Sequence, residues 1–531
     1  TESGKGEPGP AILDAGWLKA ILRLSQSSAP QIDAAPVQGI PVRVYPRSVH
    51  VFEESVLFLG RESGRKDLYV AGNARSLAKG FEGETVTGTS LPDGSGLLRC
   101  PLTHSNAAFL REIFGFARPQ KIGVQNSIGL GDRLGIANPG HLRAVRQTPF
   151  RPVLAQQSIR ELDRTERTAE EVLDAASWAV FQEGYHGGFG ADADHLKLER
   201  DIDRMVRAGY TMITFDPGDH VINEADRLSA VELRQRMRSL PWETLEDAPE
   251  SFLARYRGHS FRLTGGASLL EPTGEQVLRA LVKYGGAIAH VLRLFRYLSS
   301  HYSRDQFEIE LSVDETESVT TPFEHFLVVS ELKRRGIPLV GLAPRFPGNF
   351  EKGIDYRGDL EHFRREYLQH VAVARTLGPY KISFHSGSDK FSVYREVGRI
   401  REGTVHIKTA GTSYLEALRT VAAVAPELFR EILDFSRQQY EEERRSYHVS
   451  ADVEAVPPAG ECSDADLLGL FGQDDARQVL HVAYGKVLTA RNPDGTFRFR
   501  TRLLEVLDAH EEDYYANLER HFLRHLAPFL D

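Results

Sequence analysis

The pattern of apolar and polar residues changes near Lys121, where short apolar strands begin to alternate with amphipathic helices. Such an alternation predicts a parallel sheet covered by helices. The predicted strands are Lys121–Gln125, Pro152–Gln156, Phe181–Gly190, Tyr210–Asp216, Phe307–Val313, Pro338–Ala343, Tyr380–His385 and Thr404–Thr409. Capping boxes mark helix starts at Thr168/Glu171, Ser229/Glu232, Thr273/Gln276, Thr321/Glu324 and Ser413/Glu416. About eight strand–helix repeats in roughly 300 residues match a (β/α)8 barrel.

Alternation within single strands favours this closed barrel over an open doubly wound sheet. In FEIELSVDE, Ile309 and Leu311 share one face of the strand, whereas Glu310 and Ser312 share the other. Strands of an open sheet are covered on both faces and are apolar throughout. Burying a carboxylate under a helix costs too much free energy, but the same carboxylate can face a barrel lumen. We therefore predict an α/β fold, a (β/α)8 TIM-type barrel.

The regions before and after the barrel differ from it in pattern. Short strands at Val42–Tyr45, Val49–Phe52, Val56–Leu59 and Leu68–Ala71 follow a helix at Trp17–Leu24 and predict a β-rich N-terminal subdomain. We expect a flexible tail at residues 1–10 and a mixed α/β subdomain at 11–118. The barrel then covers 119–435, with an excursion at about 221–266, and a helical extension covers 436–531.

Composition narrows the class of function. The 531 residues carry a formal net charge of -9, which argues against binding to a nucleic-acid backbone. No apolar run reaches membrane-spanning length, and no secretory signal is visible. Cys100 and Cys462 are too few for a disulfide framework, so a cytoplasmic setting is expected. No GxGxxG, Walker A or GxSxG motif occurs, so we expect no nucleotide cofactor.

Polar residues gather at the carboxyl ends of the predicted strands, where barrel enzymes carry their working groups. In strand order they are Asp132 and Arg133; Asp194 and His195; Asp219 and His220; Glu310 and Glu315; Arg345; His385, Ser386 and Asp389; His406 and Lys408. Histidine nitrogen and carboxylate oxygen are ligands for cations such as Zn²⁺ or Mn²⁺. We interpret His385 as a metal ligand, because it ends a strand with a polar face. For His195 and His220, a role as metal ligand and a purely structural role are equally compatible with the sequence.

Two carboxylate positions have alternative interpretations. Asp194 is either a base beside a metal or a helix cap, and Asp192 is expected to be the cap of the following helix. Glu310 faces inward in mid-strand and needs a cation or a partner, such as Lys408 or Lys381 across the lumen. Arg133, Arg345 and Lys408 are candidates to bind an anionic substrate.

The stretches GYHGGFGADADHLK, FEIELSVDETES, TTPFEH, KISFHSGSDKFSVY and VHIKTAGTSYLEALR together resemble the tagaturonate/fructuronate epimerase family, which has relatives described as tagatose 4-epimerases. The resemblance extends from about Lys121 to Leu433. It implies a metal-dependent epimerase that inverts C4 and interconverts D-tagaturonate and D-fructuronate in hexuronate breakdown. The metal would be Mn, Ni or Zn, and the substrate a sugar acid or a ketohexose.

The resemblance also implies roles for residues. Asp194 corresponds to the base and Glu310 to a second proton-transfer group. From the residues alone, Asp219 is the alternative base. His195 and His385 correspond to metal ligands, with His220 as the third and His406 in reserve. The candidates for substrate binding are Arg133, Asp132, Glu315, Arg345, Ser386, Asp389 and Lys408.

The chemistry of C4 inversion limits the possible mechanisms. The C4 hydrogen is β to the C2 ketone and is not acidic, so simple enolisation cannot invert this centre. Without a nicotinamide, cleavage and re-formation of the C3–C4 bond by a retro-aldol route remains, supported by a cation. Two alternatives are a class II-type metal-dependent aldolase, which releases the fragments, and a non-catalytic sugar-acid-binding barrel.

Overall fold

The computed structural model describes residues 15–26, 42–53, 55–72, 80–90, 96–265 and 269–530. Its centre is a closed barrel of eight parallel strands, in which each strand pairs with its neighbours in chain order. The first to eighth barrel strands are Ser127–Gly129, Arg151–Ser158, Gly190–Leu196, Met212–Phe215, Glu308–Ser312, Leu339–Ala343, Lys381–Phe384 and Val405–Lys408. The predicted (β/α)8 barrel is confirmed. The predicted tail at residues 1–10 lies outside the described residues.

Two of the predicted strands are wrong. Lys121–Gln125 is not a strand, because the backbone N–H groups of Ile122 and Gly123 donate to the carboxylate of Glu308 at the amino end of the barrel. Phe181–Gly190 is not one either, because Phe181 still belongs to a helix. The third strand, GADADHL, follows instead, and its charged residues obscured its period-two pattern.

The helices that follow the barrel strands surround the barrel. They are Asn138–Val145, Ile159–Thr165, Ala169–Gln182, Glu199–Ala208, Gly274–His301, Pro322–Arg334, Leu360–Leu377, Phe391–Ile400 and Thr412–Val424. Four predicted capping boxes are confirmed, at Thr168, Ser229, Thr273 and Thr321. The fifth is wrong, because its helix begins one residue before Ser413, with Gly411 as N-cap.

The N-terminal region is rich in strands, as predicted. Helix Ala15–Leu24 precedes a six-stranded antiparallel sheet. Its strands are Arg43–Val44, His50–Phe52, Ser55–Glu62, Arg65–Gly72, Glu84–Ser90 and Gly96–Cys100, of which the last two were not predicted. Helix His104–Ile113 leads from the sheet to the barrel. Leu59 and Leu68 of the sheet share one buried cluster with Trp178 and Phe181 of a barrel helix, so the two regions pack as one body.

The excursion after the fourth strand has helices of its own, Ala230–Arg238, Trp242–Leu245 and Pro249–Tyr256, and a short hairpin of Phe261–Arg262 and Leu269–Leu270. The C-terminal helices are Pro426–Glu443, Asp464–Gly469, Asp474–Val482, Tyr484–Thr489, Arg500–Ala509 and Glu511–Leu526. The last of them packs against Asn138–Val145 and Thr412–Val424 of the barrel. Within the described parts of the chain, no helix is long and apolar enough to cross a membrane.

Candidate active site

A cavity opens at the carboxyl ends of the barrel strands. The side chains that line it come from several strand ends, from the loops after them and from the C-terminal helices. They belong to Arg133, Gln156, Ser158, Arg160, Glu161, Asp194, His195, Glu315, Lys352, His385, Ser386, Ser388, Tyr447 and His481. Many of these residues are polar, which suits a hydroxylated ligand better than an apolar one.

A buried ammonium lies beneath the cavity. The Nζ atom of Lys408 is 2.7 Å from a carboxylate oxygen of Asp192, 2.7 Å from one of Asp194 and 2.6 Å from one of Glu310. The hydroxyl of Thr214 lies 2.7 Å from a carboxylate oxygen of Asp192 and 3.0 Å from one of Glu310, so its single hydrogen can be donated to either. The predicted ion pair of Glu310 across the lumen is therefore present, with Lys408 as its partner. Three carboxylates around one ammonium leave an excess of negative charge.

The third and seventh strands bring two imidazoles and a carboxylate together above this ammonium. One ligand atom each of Asp194, His195 and His385 lies within 4.8 Å of the others. Nδ1 of His195 is 2.8 Å from Oδ1 of Asp194. Oδ1 of Asp314 lies 3.4 Å from Nε2 of His195 and 3.6 Å from Nδ1 of His385. Asp194 and His195 lie in the third strand, whereas Asp314 and His385 follow the ends of the fifth and seventh strands.

This group of side chains fits a divalent cation. Nδ1 of His385 is buried and has no hydrogen-bond partner among the described residues, whereas a buried nitrogen is normally bonded. Its Nε2 is 2.8 Å from Glu310, an arrangement that fixes the ring of a metal-bound histidine. Nitrogen and oxygen donors suit Zn²⁺, Mn²⁺ or Ni²⁺. His195, His385 and Asp194 are the residues that would hold such an ion, with Asp314 adjacent.

The electrostatics of the cluster set its protonation. Burial raises the pKa of Asp192 to about 6, although Lys408 opposes the shift. Burial alone would also raise the pKa of Asp194, but His195 and Lys408 hold it well below its usual range. Glu310 has a lowered pKa for a similar reason, because Lys408 and His385 outweigh its burial. Asp194 and Glu310 are therefore ionised at neutral pH.

Three basic residues lie on the rim of the cavity, two of them beside the wall carboxylates Glu161 and Glu315. Arg133, Arg160 and Lys352 line it, and Arg345 lines an adjoining cavity that shares Lys352. Arg133 donates to Glu161 through Nε and Nη2, while its buried Nη1 has no hydrogen-bond partner in the described part of the chain. A guanidinium with a free donor at the wall of a cavity suits an anionic ligand such as a carboxylate.

Two further residues predicted for substrate binding line the cavity, and a third lies in the adjoining one. Ser386 lines it, and its hydroxyl accepts a hydrogen bond from Lys352 at 3.1 Å. Glu315 also lines it, 3.8 Å from Arg160. Arg345 lies in the adjoining cavity beside Asp314.

Three other predicted substrate-binding residues are engaged elsewhere. Lys408 is only 1% exposed and is enclosed by carboxylates, so it does not reach a substrate carboxylate. Asp132 accepts hydrogen bonds from the backbone N–H groups of Leu134, Gly135 and Ala137. Asp389 is buried and bound by Arg477 and His521.

The structure does not bring the Asp219–His220 pair into the cluster. The carboxylate of Asp219 pairs with Lys197, and its side chain is 70% exposed. The ring of His220 stacks on His290 with centroids 4.1 Å apart. A 3-10 turn at Gly218–His220 carries both residues away from the strand end. His406 lies deeper in the lumen, where its Nδ1 is 2.9 Å from the hydroxyl of Ser127.

Asp192 has different surroundings from those predicted, and Glu310 differs from the prediction in its contact with the cavity. Asp192 does not cap a helix but lies in the third strand as a partner of Lys408. Glu310 faces the lumen and pairs with Lys408 as predicted, but it is 0% exposed, and its oxygens also accept from Ser383 and Thr214 and contact His385. It therefore touches the cavity only through His385.

Sequence reasoning missed several residues of the cavity wall. They are Gln156, Arg160, Lys352, Tyr447 and His481. Gln156 had a visible signal, since two glutamines end an otherwise apolar strand. Tyr447 and His481 had none, because they lie in the C-terminal region, whose packing on the barrel follows no strand-end rule.

Comparison with known proteins identifies the family. A model of the UxaE family, described as tagaturonate epimerase, matches residues 45–529. The tagaturonate/fructuronate epimerase of Thermotoga maritima is 41% identical over 488 residues, which cover 92% of this chain and 97% of that protein. The native crystal structure of the fructuronate-tagaturonate epimerase UxaE from Cohnella laeviribosi has a TM-score of 0.85 and 40% identity, and the match covers 93% of this chain and 98% of that one. A complex of the same Cohnella protein with one glycerol has the same TM-score. The chain therefore belongs to the tagaturonate epimerase family and is an isomerase of the epimerase type.

Proposed function

We propose that this enzyme interconverts D-tagaturonate and D-fructuronate by inverting C4 with the help of a divalent cation. The observation that carries the proposal is the group of Asp194, His195 and His385 at the wall of a cavity with a basic rim. The names of the Thermotoga and Cohnella relatives support the substrate pair.

The cation would be held by His195 and His385, with Asp194 within ligand distance. When bound, it would act as a Lewis acid toward the oxygens of the ketone-bearing half of the substrate. Mn²⁺, Ni²⁺ and Zn²⁺ all accept this set of donors. Glu310 keeps the ring of His385 in place, so we regard it as a positioning residue.

Asp194 is the group that we propose takes the proton of the C4 hydroxyl. Its low pKa keeps it ionised, and its Oδ2 receives only a long hydrogen bond of 3.2 Å from Gln156. As the proton leaves, a carbonyl forms at C4, and the C3–C4 electron pair passes to the ketone-bearing fragment. The aldehyde then presents its other face and the bond re-forms. Glu315, a partly exposed carboxylate of the wall, would return to the C4 oxygen a proton that it takes up from solvent. Asp194 would release its own proton to solvent, so that the protons balance over one turnover.

The basic rim holds the aldehyde fragment during this turn. That fragment carries the C6 carboxylate of the substrate, and Arg133, Arg160 and Lys352 are the cations that face it from the cavity wall. A carboxylate held by charge-assisted hydrogen bonds cannot diffuse away before the bond closes. The same rim favours a uronate over a neutral ketohexose.

The test is interconversion before and after removal of metal. The enzyme is incubated with tagaturonate, and fructuronate is followed by NMR, with the metal content of each sample measured independently. We expect EDTA to abolish the conversion and Mn²⁺, Ni²⁺ or Zn²⁺ to restore it. Full activity in metal-free enzyme would contradict the mechanism. Accumulation of a free three-carbon aldehyde acid would instead identify an aldolase, and binding without any conversion a sugar-acid-binding protein.

A further inference from the structure

One histidine of the cavity wall comes from the C-terminal helices. His481 lies in helix Asp474–Val482, is 2% exposed and lines the same cavity as Asp194 and His385. Neither of its ring nitrogens has a hydrogen-bond partner within the described residues. Two unpaired nitrogens on a buried ring cost free energy unless a ligand or water pairs with them. Packing of the helix against the barrel does not explain why both nitrogens of this buried ring lack a partner.

We propose that His481 binds the carboxylate end of the substrate, with one ring nitrogen donating a hydrogen bond to a carboxylate oxygen. The inference rests on the proposed function, because it takes a uronate as the ligand. It makes the C-terminal helices part of the substrate site and assigns them a role in selecting the substrate.

The helix that carries His481 is fixed on the barrel loops. One turn before the histidine, Arg477 donates to the carbonyl of Gly353 at 2.7 Å and pairs with Asp389 at 2.7 Å. Residues four apart lie on the same face of a helix, so the side chains of Arg477 and His481 both face the barrel. Gln478 donates to Glu351 beside them. The position of the imidazole is therefore set before a ligand arrives.

A glycine of the barrel makes room for the ring. A Cβ atom at Gly411, the residue before helix Thr412–Val424, would overlap the imidazole of His481. Gly411 has a φ of -93°, which any residue can adopt, so its backbone conformation does not require glycine. The close approach of His481 accounts for a glycine at this position.

The charges around the ring determine which form binds. Burial and the cations of Arg133 and Lys352 lower the pKa of His481 well below its usual value, although Asp389 opposes them. The ring is therefore neutral, with one donor and one acceptor. A substrate carboxylate offers the acceptor for the N–H of this ring. Arg133, with its free Nη1, supplies the charge that the neutral ring lacks.

The test uses H481F, which keeps an aromatic ring but removes both nitrogens, and H481Q, which keeps a donor and an acceptor. For tagaturonate we expect H481F to raise KM about tenfold and to lower kcat less than threefold, while H481Q stays within about threefold of wild type in KM. With tagatose, which lacks the carboxylate, H481F is expected to change KM less. The control is H510F, because His510 is exposed and pairs with Asp513 far from the cavity wall.

Two further measurements keep the inference falsifiable. G411A is expected to displace the imidazole and to raise KM for tagaturonate as H481F does, with some loss of stability because the added Cβ overlaps a buried ring. Tagaturonate is also expected to raise the melting temperature of wild type more than that of H481F. Wild-type KM and an unchanged ligand-induced shift in H481F would overturn the inference. A wild-type enzyme that binds tagaturonate without converting it would refute the proposed function. In that case the tagaturonate-induced rise in melting temperature, compared between wild type and H481F, would still test whether His481 binds the ligand.

Discussion

Two clusters in this enzyme have the same composition but opposite surroundings. Each consists of one aspartate and two histidines whose ligand atoms lie within 4.8 Å of one another. The cavity cluster is Asp194, His195 and His385, and the anchor cluster is Asp389, His521 and His525. The first lies at the wall of the cavity, whereas the second joins the loop after the seventh strand to the last helix.

The difference lies in how the donor atoms are used. In the anchor cluster, Nε2 of His525 accepts from the backbone N–H of Asp389, and Nδ1 lies 3.1 Å from the carbonyl of His521. Arg477 and His521 each lie 2.7 Å from a carboxylate oxygen of Asp389. In the cavity cluster, by contrast, Nδ1 of His385 has no partner in the described residues. Residue type alone does not distinguish the two clusters. The unpaired nitrogen of His385 does, and it is the reason for proposing a metal site in the cavity cluster.

The largest expected effect comes from the cavity cluster. D194N removes the proposed base and should lower kcat/KM for tagaturonate by about a thousandfold, since general bases contribute roughly 10²–10⁴. The melting temperature should stay within a few degrees of wild type, because Asn keeps the shape of the side chain. A matched control is D389N in the anchor cluster. Its kcat/KM, calculated per folded molecule, should stay close to that of wild type. Equal activity losses at equal stability would contradict the distinction between the clusters.

Arg477 tests the anchor cluster through stability. R477M leaves Asp389 buried without its guanidinium, and loss of one partner from a buried ion pair costs about 3 kcal/mol or more. Urea unfolding measures this change in the free energy of unfolding. R357M is the control, because the pair of Arg357 with Asp474 is about half exposed and should contribute less than about 1 kcal/mol. A similar loss in both variants would show that Asp389 does not depend on Arg477.

The smallest expected effect is a pH dependence. Burial lowers the pKa of His525 to about 3, whereas an unfolded histidine titrates near 6.5. Below pH 6.5 the unfolded chain binds a proton that the folded chain does not, so stability falls as pH falls. Between pH 6.5 and 5 this single group should cost about 2 kcal/mol. We expect urea unfolding of H525Q to show a correspondingly shallower pH slope, and an identical slope would refute the assignment.

Periodicity and the strand-end rule predicted much of the site. The alternation in FEIELSVDE placed Glu310 in the lumen, and the ion pair with Lys408 followed from it. The strand ends also brought Asp194, His195 and His385 together. These predictions succeeded because a barrel fixes which face of a strand looks inward.

The rest could not be predicted, for identifiable reasons. The path of FDPGDH depends on a tight turn that directs His220 toward His290, and the sequence does not specify that direction. Asp389 resembles a substrate ligand until its partners are known, and these come from the distant last helix. His481 reaches the cavity because the C-terminal helices pack against the barrel, and no local sequence pattern predicts that packing.

Metal binding tests the central claim most directly. Metal-free wild type, H195Q/H385Q and H521Q/H525Q are each equilibrated with Mn²⁺, and bound metal is measured by mass spectrometry after removal of free ion. We predict one ion per chain in wild type and in folded H521Q/H525Q, and none in H195Q/H385Q. Loss of the ion from H521Q/H525Q together with its retention in H195Q/H385Q would contradict the account.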